Sequence, residues 1–139
     1  MKKIGIIGSR RRNSKSDFDL LKKMFYSIYE DGDIIVSGHC PKGGDAMAEI
    51  FAEELNLTEE NGKLILHRPK WYKDGIFDKA AGFVRNTFIA EDSDVIIAVV
   101  APDRTGGTED TIQKAIKLGK QILLVDQPSI EEFDPLKEV

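Results

Sequence analysis

Residues 94–116 read DVIIAVVAPDRTGGTEDTIQKAI, and this stretch decides the fold class. After Asp94 comes an apolar run without polar alternation, which is typical of a strand buried on both faces of a parallel sheet. A turn containing Gly106 and Gly107 follows, and a segment with helical spacing of apolar residues comes after it,. A buried strand, a glycine turn and an amphipathic helix in this order predict one unit of an α/β fold.

Four further apolar runs, KIGIIG, DIIVSG, KLILHR and QILLVD, have the same character. Helical spacing between the runs is predicted from Phe18, Leu21, Phe25 and Ile28, from Met47, Ile50, Phe51 and Leu55, from Phe77, Ala81, Val84 and Phe88, and from Ile112, Ala115 and Ile116,. Ser16 and Asp19 fit a capping box at the start of the first helix, and Gly119 fits the end of the last. We therefore predict a Rossmann-like three-layer sandwich with a five-stranded, mostly parallel sheet in the order 3-2-1-4-5.

Composition limits the classes of function. The chain has 139 residues, of which 41% are hydrophobic and 32% charged, and its net charge is -4. This charge disfavours general binding to nucleic acids or anionic membranes, and Cys40 alone can form neither an intramolecular disulfide nor a cysteine-rich zinc site,. We predict one nucleotide-binding domain over residues 1–125, a polar acidic tail over 126–139 that is loosely attached, no membrane span and a cytoplasmic location.

Three of the predicted strands end in polar loops that contain glycine, and these loops read GSRRRNS, SGHCPKGGD and PDRTGGTED. Ligands of open α/β sheets bind beyond the carboxyl ends of the strands, near the point where the strand order reverses. With the predicted order, all three loops converge on one crevice. The first loop supplies Gly8 for close backbone approach, the Ser9 hydroxyl and the Arg10 guanidinium. We expect Arg11 and Arg12 to form a solvated turn.

The second loop begins with Ser37 and Gly38, which we expect to contact the ligand. Its Gly43 and Gly44 open a helix whose free N–H groups can take an anion. Asp45 either balances the charge of that helix start, accepts hydrogen bonds from a ribose or holds the loops together. In the third loop, Gly106 and Gly107 permit close backbone approach, and Thr108 can cap the helix and contact a phosphate.

Other motifs exclude some activities. Gly38 and Gly43 have the spacing of a phosphate-binding loop of ATPases, but the required Lys and Ser/Thr are replaced by Gly44 and Asp45,. The dinucleotide fingerprint G-x-G-x-x-G is absent from the first loop. His67 is expected to be structural, a nucleophilic role for Cys40 with His39 is disfavoured, and no metal site is predicted.

The motifs GSR, SGHCPKGGDAMAE, PKW with AGFVRN, and GGTEDTIQKA together resemble the SLOG superfamily. This Rossmann-like group includes the LOG phosphoribohydrolases, which activate cytokinins, and the DNA-processing protein A. The likeness runs from Gly8 to about Val125 and is greatest to the small single-domain YspA-like branch. It implies a nucleotide or nucleotide-derived ligand, such as an ADP-ribose-like species, and a role in sensing or in cleaving an N-glycosidic bond.

The resemblance also implies the site residues. The ligand would lie against Gly8, Ser9, Arg10, Gly43, Gly44 and Asp45, with Gly106, Gly107 and Thr108 as the phosphate-binding loop. Arg85 and Asn86 match the segment that carries a catalytic Arg in LOG enzymes. Trp71 matches an aromatic residue near the pocket, where it either stacks on a base or serves as a partly buried lid or interface residue. No further cofactor is implied.

The chain departs from the LOG pattern P-G-G-x-G-T-x-x-E, because Thr111 stands in place of the last Glu. Binding or sensing of a nucleotide is therefore the leading hypothesis. The first alternative is an N-glycosidase that uses Arg85 with Asp110 or Glu109. The second is binding of single-stranded nucleic acid through Arg10 to Arg12, Lys15 and Trp71, which the acidic net charge disfavours.

The oligomeric state is predicted only in outline. The resemblance allows a homodimer or a higher oligomer that forms through helices beside the pocket. Tyr72, Phe83 and Phe88 are candidates for such a surface, although packing in the core would explain Phe88 equally well.

Overall fold

The structure, a computed structural model, describes residues 1–129. Its strands are β1 (Lys3–Gly8), β2 (Ile34–Ser37), β3 (Leu64–Leu66), β4 (Tyr72–Lys73), β5 (Ile76–Phe77), β6 (Val95–Val99) and β7 (Gln121–Val125). Its helices are α1 (Lys15–Ile28), α2 (Gly44–Glu54), α3 (Ala81–Asp92) and α4 (Gly107–Lys117).

The main sheet has five strands in the order β3-β2-β1-β6-β7, and every pairing within it is parallel. The prediction of a Rossmann-like α/β sandwich is thus confirmed. The five predicted strands lie in the predicted sequence of neighbours, and the labels differ because β4 and β5 form a separate hairpin that was not predicted. The sheet order changes direction at β1 and β6, whose carboxyl ends lie side by side.

Alternate residues of the central strands face two apolar clusters, one on each side of the sheet. Ile4 and Ile6 of β1 pack with Leu21 and Phe25 of α1 and with Phe51 of α2. On the opposite face, other residues of β1 and β6 pack with α3 and α4: Ile7, Ile96, Ala98, Ile89, Ile112 and Ala115. Strands that are buried on both faces explain the continuous apolar runs in the sequence.

The predicted capping box lies two residues too far along the chain. Ser14, not Ser16, is the N-cap of α1, and its hydroxyl accepts a hydrogen bond from the Asp17 N–H at 3.1 Å. The Asp17 carboxylate in turn accepts from the Ser14 N–H at 3.2 Å. Asp17 is buried and bonded to Arg12, so the helix begins where this carboxylate can meet both partners.

The helical spacing predicted from Phe77 is also wrong. Phe77 lies in the hairpin, where Asp74 and Gly75 occupy the turn with positive φ angles of 52° and 79°. This Asp-Gly pair suits the two-residue turn that joins antiparallel strands. Helix α3 begins only at Ala81, and its Val84 and Phe88 are both 48% exposed. Packing in the core therefore does not explain Phe88.

Smaller differences concern the other helices. Ile50 of α2 and Ile116 of α4 are exposed, whereas the remaining apolar positions of their patterns are buried or half-buried. Gly119 has a φ of 72° directly after α4, as predicted for a glycine that ends a helix,.

Of the predicted tail, residues 126–129 are described: Gln127 and Ser129 bond to Arg12 and Asp17, so this part is held against α1. Residues 130–139 lie outside the described part.

Candidate functional site

A crevice of about 620 Å³ lies beyond the carboxyl ends of β1 and β6. Ten residues predicted from the sequence line it: Gly8, Ser9, Arg10, Asp45, Trp71, Arg85, Asn86, Gly106, Gly107 and Thr108. Six others do not line it, namely Ser37, Gly38, Gly43, Gly44, Glu109 and Asp110. The loops after β1, β2 and β6 all contribute walls, and the chain before β4 and helix α3 complete the enclosure.

The glycines at the start of α2 serve packing. A β-carbon built on Gly44 would lie 2.5 Å from the carbonyl carbon of Ile7 and 2.6 Å from the Gly8 nitrogen. Gly43 has a φ of 77°, and a β-carbon there would lie 2.8 Å from the Ser9 carbonyl oxygen. Likewise, a β-carbon built on Gly8 would lie 2.9 Å from the Gly44 nitrogen. These glycines let α2 approach the end of β1, which brings Asp45 into the crevice wall.

The start of α4 is open toward solvent. Gly106 is the N-cap with a φ of 103°, no side chain caps the helix, and a β-carbon at Gly106 would meet nothing within 4 Å. Thr108 is the second residue of the helix, so the prediction that it caps α4 is wrong. The unsatisfied N–H groups of a first helical turn, together with the helix dipole, attract anions.

The three consecutive arginines have three different environments. Arg10 is exposed in the crevice wall and forms no ion pair with any residue between 1 and 129. Arg11 forms a bidentate pair with Asp103, at 2.9 and 2.6 Å, which joins the loop after β1 to the loop after β6. The hydrogen bond from Arg11 holds the pKa of Asp103 well below its usual range. Arg10 is thus the member of this run that is available to a ligand.

Arg12 contradicts the prediction of a solvated turn. Its side chain is only 4% exposed and bonds to Asp17 through Nε and Nη2, at 2.9 and 2.8 Å. Its Nη1 donates to the carbonyl oxygens of Val100 and Val125 at 3.1 and 3.0 Å. The guanidinium therefore ties α1 to the ends of the two last strands of the sheet.

Asp45 and Arg85 both approach Gly38 closely. A β-carbon built on Gly38 would be 2.8 Å from Asp45 Oδ2 and 2.9 Å from Arg85 Nη1. Arg85 Nη1 donates to the Gly38 carbonyl oxygen at 2.7 Å, and the Cys40 N–H donates to Asp45 Oδ2 at 3.2 Å. Gly38 is therefore a spacer that lets both charged groups reach the crevice, although it does not line the crevice itself.

Asp45 is a buried carboxylic acid, with 8% of its surface exposed. Burial raises its pKa to about 6, and the opposing effects of Arg85 and of the Cys40 and Gly38 N–H groups only partly offset this. Among the residues that the structure describes, it is the one acidic residue of the crevice wall. Asp45 therefore changes its charge close to neutral pH.

We expect Asp45→Asn to raise the free energy of unfolding at pH 7.5 by about 3 kcal/mol and to change it little at pH 4. The folded state binds a proton at Asp45 more tightly than the unfolded chain does, because the pKa rises from 3.8 to about 6. Wild-type stability associated with this group is therefore present below pH 3.8 and is lost as the pH rises through 6,. Urea unfolding at both pH values measures the difference, with Asp31→Asn as a control on an exposed acid. An equal effect at both pH values would contradict the assignment.

The carboxylates predicted for catalysis do not line the crevice and are held by other side chains. Asp110 Oδ2 accepts hydrogen bonds from Lys114 Nζ at 2.8 Å and from Asn86 Nδ2 at 3.2 Å. Glu109 pairs with Arg104. Thr111, where the resemblance led us to look for a Glu, lines the crevice and donates to the Gly107 carbonyl oxygen at 3.4 Å.

Asn86 connects Arg85 with the start of α4. Its Oδ1 accepts from Arg85 Nε at 2.9 Å, and its Nδ2 donates to the Gly107 carbonyl oxygen at 3.2 Å. The side chain is buried, with 6% of its surface exposed. It thereby fixes the distance between the Arg85 guanidinium and the first turn of α4.

Trp71 forms an aromatic wall of the crevice. Its indole is 43% exposed and stacks on Phe77, with ring centres 6.0 Å apart and planes 13° apart. Its ring edge would contact a β-carbon on Gly82 of α3 at 3.4 Å. Tyr72 and Phe83 nearby are 70% and 56% exposed, and self-association through this face stays a prediction.

Sequence reasoning missed several residues of the wall: Ile7, Arg11, His39, Cys40, Pro41, Pro69, Ile89, Thr105 and Thr111. His39 has a positive φ of 57° and pairs with Glu49 at 3.0 Å, so its ring is turned to α2. Position in the second loop was the available signal for His39 to Pro41. Pro69 belongs to the PKW motif, of which only Trp71 was assigned a role, and no local pattern marks Ile89, which reaches the crevice through tertiary packing.

The fold and crevice define a Rossmann-like α/β sandwich with a cleft at its strand-order switch point. Scans of protein-family models, curated proteins and solved structures each gave no match to this chain. None of the helices within residues 1–129 combines the length and hydropathy that a bilayer span requires.

Proposed function

We propose that this chain binds a nucleotide or nucleotide-derived ligand in the crevice and acts as a sensing or regulatory module in the cytoplasm. One observation carries the proposal: a guanidinium without an ion-pair partner between residues 1 and 129, an uncapped helix start and an exposed indole share one crevice. A phosphate suits the arginine and the helix start, and a base suits the indole. The resemblance to the SLOG superfamily supports the same class of ligand.

Hydrolysis of an N-glycosidic bond has weaker support. Glu109 and Asp110, which the alternative requires, are paired with Arg104 and Lys114 and do not line the crevice. Release of free base in the binding assays described below would nevertheless add hydrolysis to binding. A reaction that continued unchanged in Asp110→Asn would exclude Asp110 from the mechanism.

The hypothesis of binding to single-stranded nucleic acid has little support, because most of the arginines it relied on have other partners. Of the arginines that were expected to supply positive charge, Arg11 is paired with Asp103 and Arg12 is buried against Asp17. Within residues 1–129, Arg10 alone of these three arginines lacks an ion-pair partner, and one such guanidinium beside the indole of Trp71 suits a single nucleotide better than a strand with several phosphates,.

A thermal-shift panel tests the proposal, with AMP, ADP, ATP, ADP-ribose, NAD and cyclic AMP as ligands. A ligand at a hundredfold excess over its Kd stabilises the folded state by about 2.7 kcal/mol, which raises the melting temperature visibly. We expect at least one of these ligands to do so. No shift with any of them at millimolar concentration would contradict the proposed function.

Arg10→Gln tests the location of the phosphate. We expect this change to weaken the best ligand of the panel by about tenfold, because a charge-assisted hydrogen bond is lost. Lys117→Gln, at the far end of α4, removes the same charge and should leave the affinity unchanged. Isothermal titration calorimetry measures both. Equal losses in the two variants would indicate a general effect of net charge rather than a contact at Arg10.

A further inference from the structure

Asp45 and Arg85 form an unusual pair within the crevice. They are opposite in charge and both approach the same residue, Gly38, yet they form no ion pair with each other in the described part of the chain. Asp45 instead accepts a hydrogen bond from the Cys40 N–H, and Arg85 donates to Gly38 and Asn86. Oδ2 of Asp45 and Nη1 of Arg85 both lie within 2.9 Å of one point beside Gly38. The two atoms are thus no farther apart than two hydrogen-bond lengths, and since both residues line the crevice, one oxygen atom of a ligand there is within reach of both,.

The chemistry of the two groups selects the oxygen that fits between them. An ionised carboxylate only accepts hydrogen bonds, and a guanidinium only donates them. A phosphate oxygen would be repelled by Asp45, and an ammonium group would be repelled by Arg85. A hydroxyl group donates to the first and accepts from the second, so it satisfies both.

The position of the pair relative to the start of α4 suits one small ligand. The Asn86 side chain alone bridges Arg85 Nε and the Gly107 carbonyl oxygen, with hydrogen bonds of 2.9 and 3.2 Å. The hydroxyl position at Asp45 and Arg85 and the anion position at the start of α4 therefore lie in one crevice and are connected through Asn86. A sugar phosphate carries a hydroxyl and an anion on one small molecule.

We propose that Asp45 and Arg85 form a hydroxyl-binding clamp that selects ligands with a free sugar hydroxyl, and hence ribonucleotides over their deoxy analogues. The inference rests on the proposed function and names its specificity determinant. In this arrangement the sugar hydroxyl donates to Asp45 and accepts from Arg85, while the phosphate of the same ligand lies at α4 and Arg10.

The test compares AMP with 2′-deoxy-AMP and 3′-deoxy-AMP by isothermal titration calorimetry at pH 7.5. Wild-type protein is expected to bind at least one deoxy analogue about tenfold more weakly than AMP, since a hydrogen bond to a charged group is lost. In Asp45→Asn the ratio of the AMP and deoxy affinities should fall toward one. Asp31→Asn, which removes an exposed carboxylate at the opposite end of the sheet, should keep the wild-type ratio.

The outcomes separate this inference from the function on which it rests. Equal binding of AMP and both deoxy analogues by wild-type protein would overturn the clamp and leave nucleotide binding intact. A ratio that Asp45→Asn does not change would also overturn it. If none of the three compounds binds, while another ligand of the panel does, ribose recognition of this kind is excluded for AMP and the clamp fails. If the whole panel fails as well, the proposed function fails.

Discussion

Replacing Gly44 with alanine is expected to lower the free energy of unfolding by about 3 kcal/mol or more. The new β-carbon would lie 2.5 Å from the Ile7 carbonyl carbon and 2.6 Å from the Ile7 carbonyl oxygen and the Gly8 nitrogen. All three atoms belong to the backbone of a central strand, which cannot rotate away as a side chain can. Helix α2 would have to move away from β1 as a whole, and the buried contacts of Met47 and Phe51 would loosen with it,.

Gly107→Ala is the matched control, because Gly107 is likewise the first residue of a helix. A β-carbon there would meet only Asn86 Nδ2, at 3.9 Å, which is an ordinary contact. We expect this variant to unfold at nearly the wild-type urea concentration. Comparable losses of stability in the two variants would mean that a side chain at the start of any helix is destabilising. The close contact of α2 with β1 would then not be the cause.

Replacing Arg12 with methionine is expected to cost about 3–5 kcal/mol of unfolding free energy, the usual effect of removing one partner of a buried ion pair. Asp17, which is 1% exposed, would keep its charge without the guanidinium, and the Val100 and Val125 carbonyl oxygens would lose a donor. Burial opposes ionisation of Asp17, but hydrogen bonds from Ser129, Arg12 and Ser14 outweigh it and lower its pKa. The stability that ionised Asp17 contributes to the folded state is therefore present above its unfolded pKa of 3.8 and is lost as the pH falls,.

Urea unfolding of Arg12→Met and Arg11→Met provides the comparison. Arg11 is the neighbouring residue, but its side chain is 55% exposed and its ion pair with Asp103 lies in solvent. Such pairs contribute little, so Arg11→Met should remain close to wild type. The deficit of Arg12→Met should shrink at about pH 3, where Asp17 can accept a proton in the variant. Equal and small losses in both variants would contradict the structural role of Arg12.

The strand pattern could be predicted because its cause is local. A strand buried on both faces must be apolar at every position. The loops that follow such strands can be recognised in the sequence by their glycines and polar residues. The hairpin was missed because its strands are only two residues long and exposed, which is too short for an alternation of apolar and polar residues to be recognised. The Asp74–Gly75 pair was the one available signal.

The roles of individual charged residues could not be predicted from their positions. Arg10, Arg11 and Arg12 are identical in type and adjacent in sequence, but the turn after β1 sends one to the crevice, one to Asp103 and one into the interior. Likewise, Glu109 and Asp110 were favoured because they stand beside the glycines. The first turn of α4 directs them to Arg104 and Lys114, and the crevice carboxylate comes from α2.

The most direct measurement of nucleotide binding in this crevice is a ¹H–¹⁵N NMR titration with AMP, followed by ADP-ribose. We predict that the backbone amides of Gly106, Gly107 and Thr108 and the indole N–H of Trp71 shift together and saturate below about 5 mM ligand. The signals of the backbone amides of α1, which does not line the crevice, should not shift. Signals of the crevice that do not move at that concentration, or shifts that arise only elsewhere on the surface, would contradict the account.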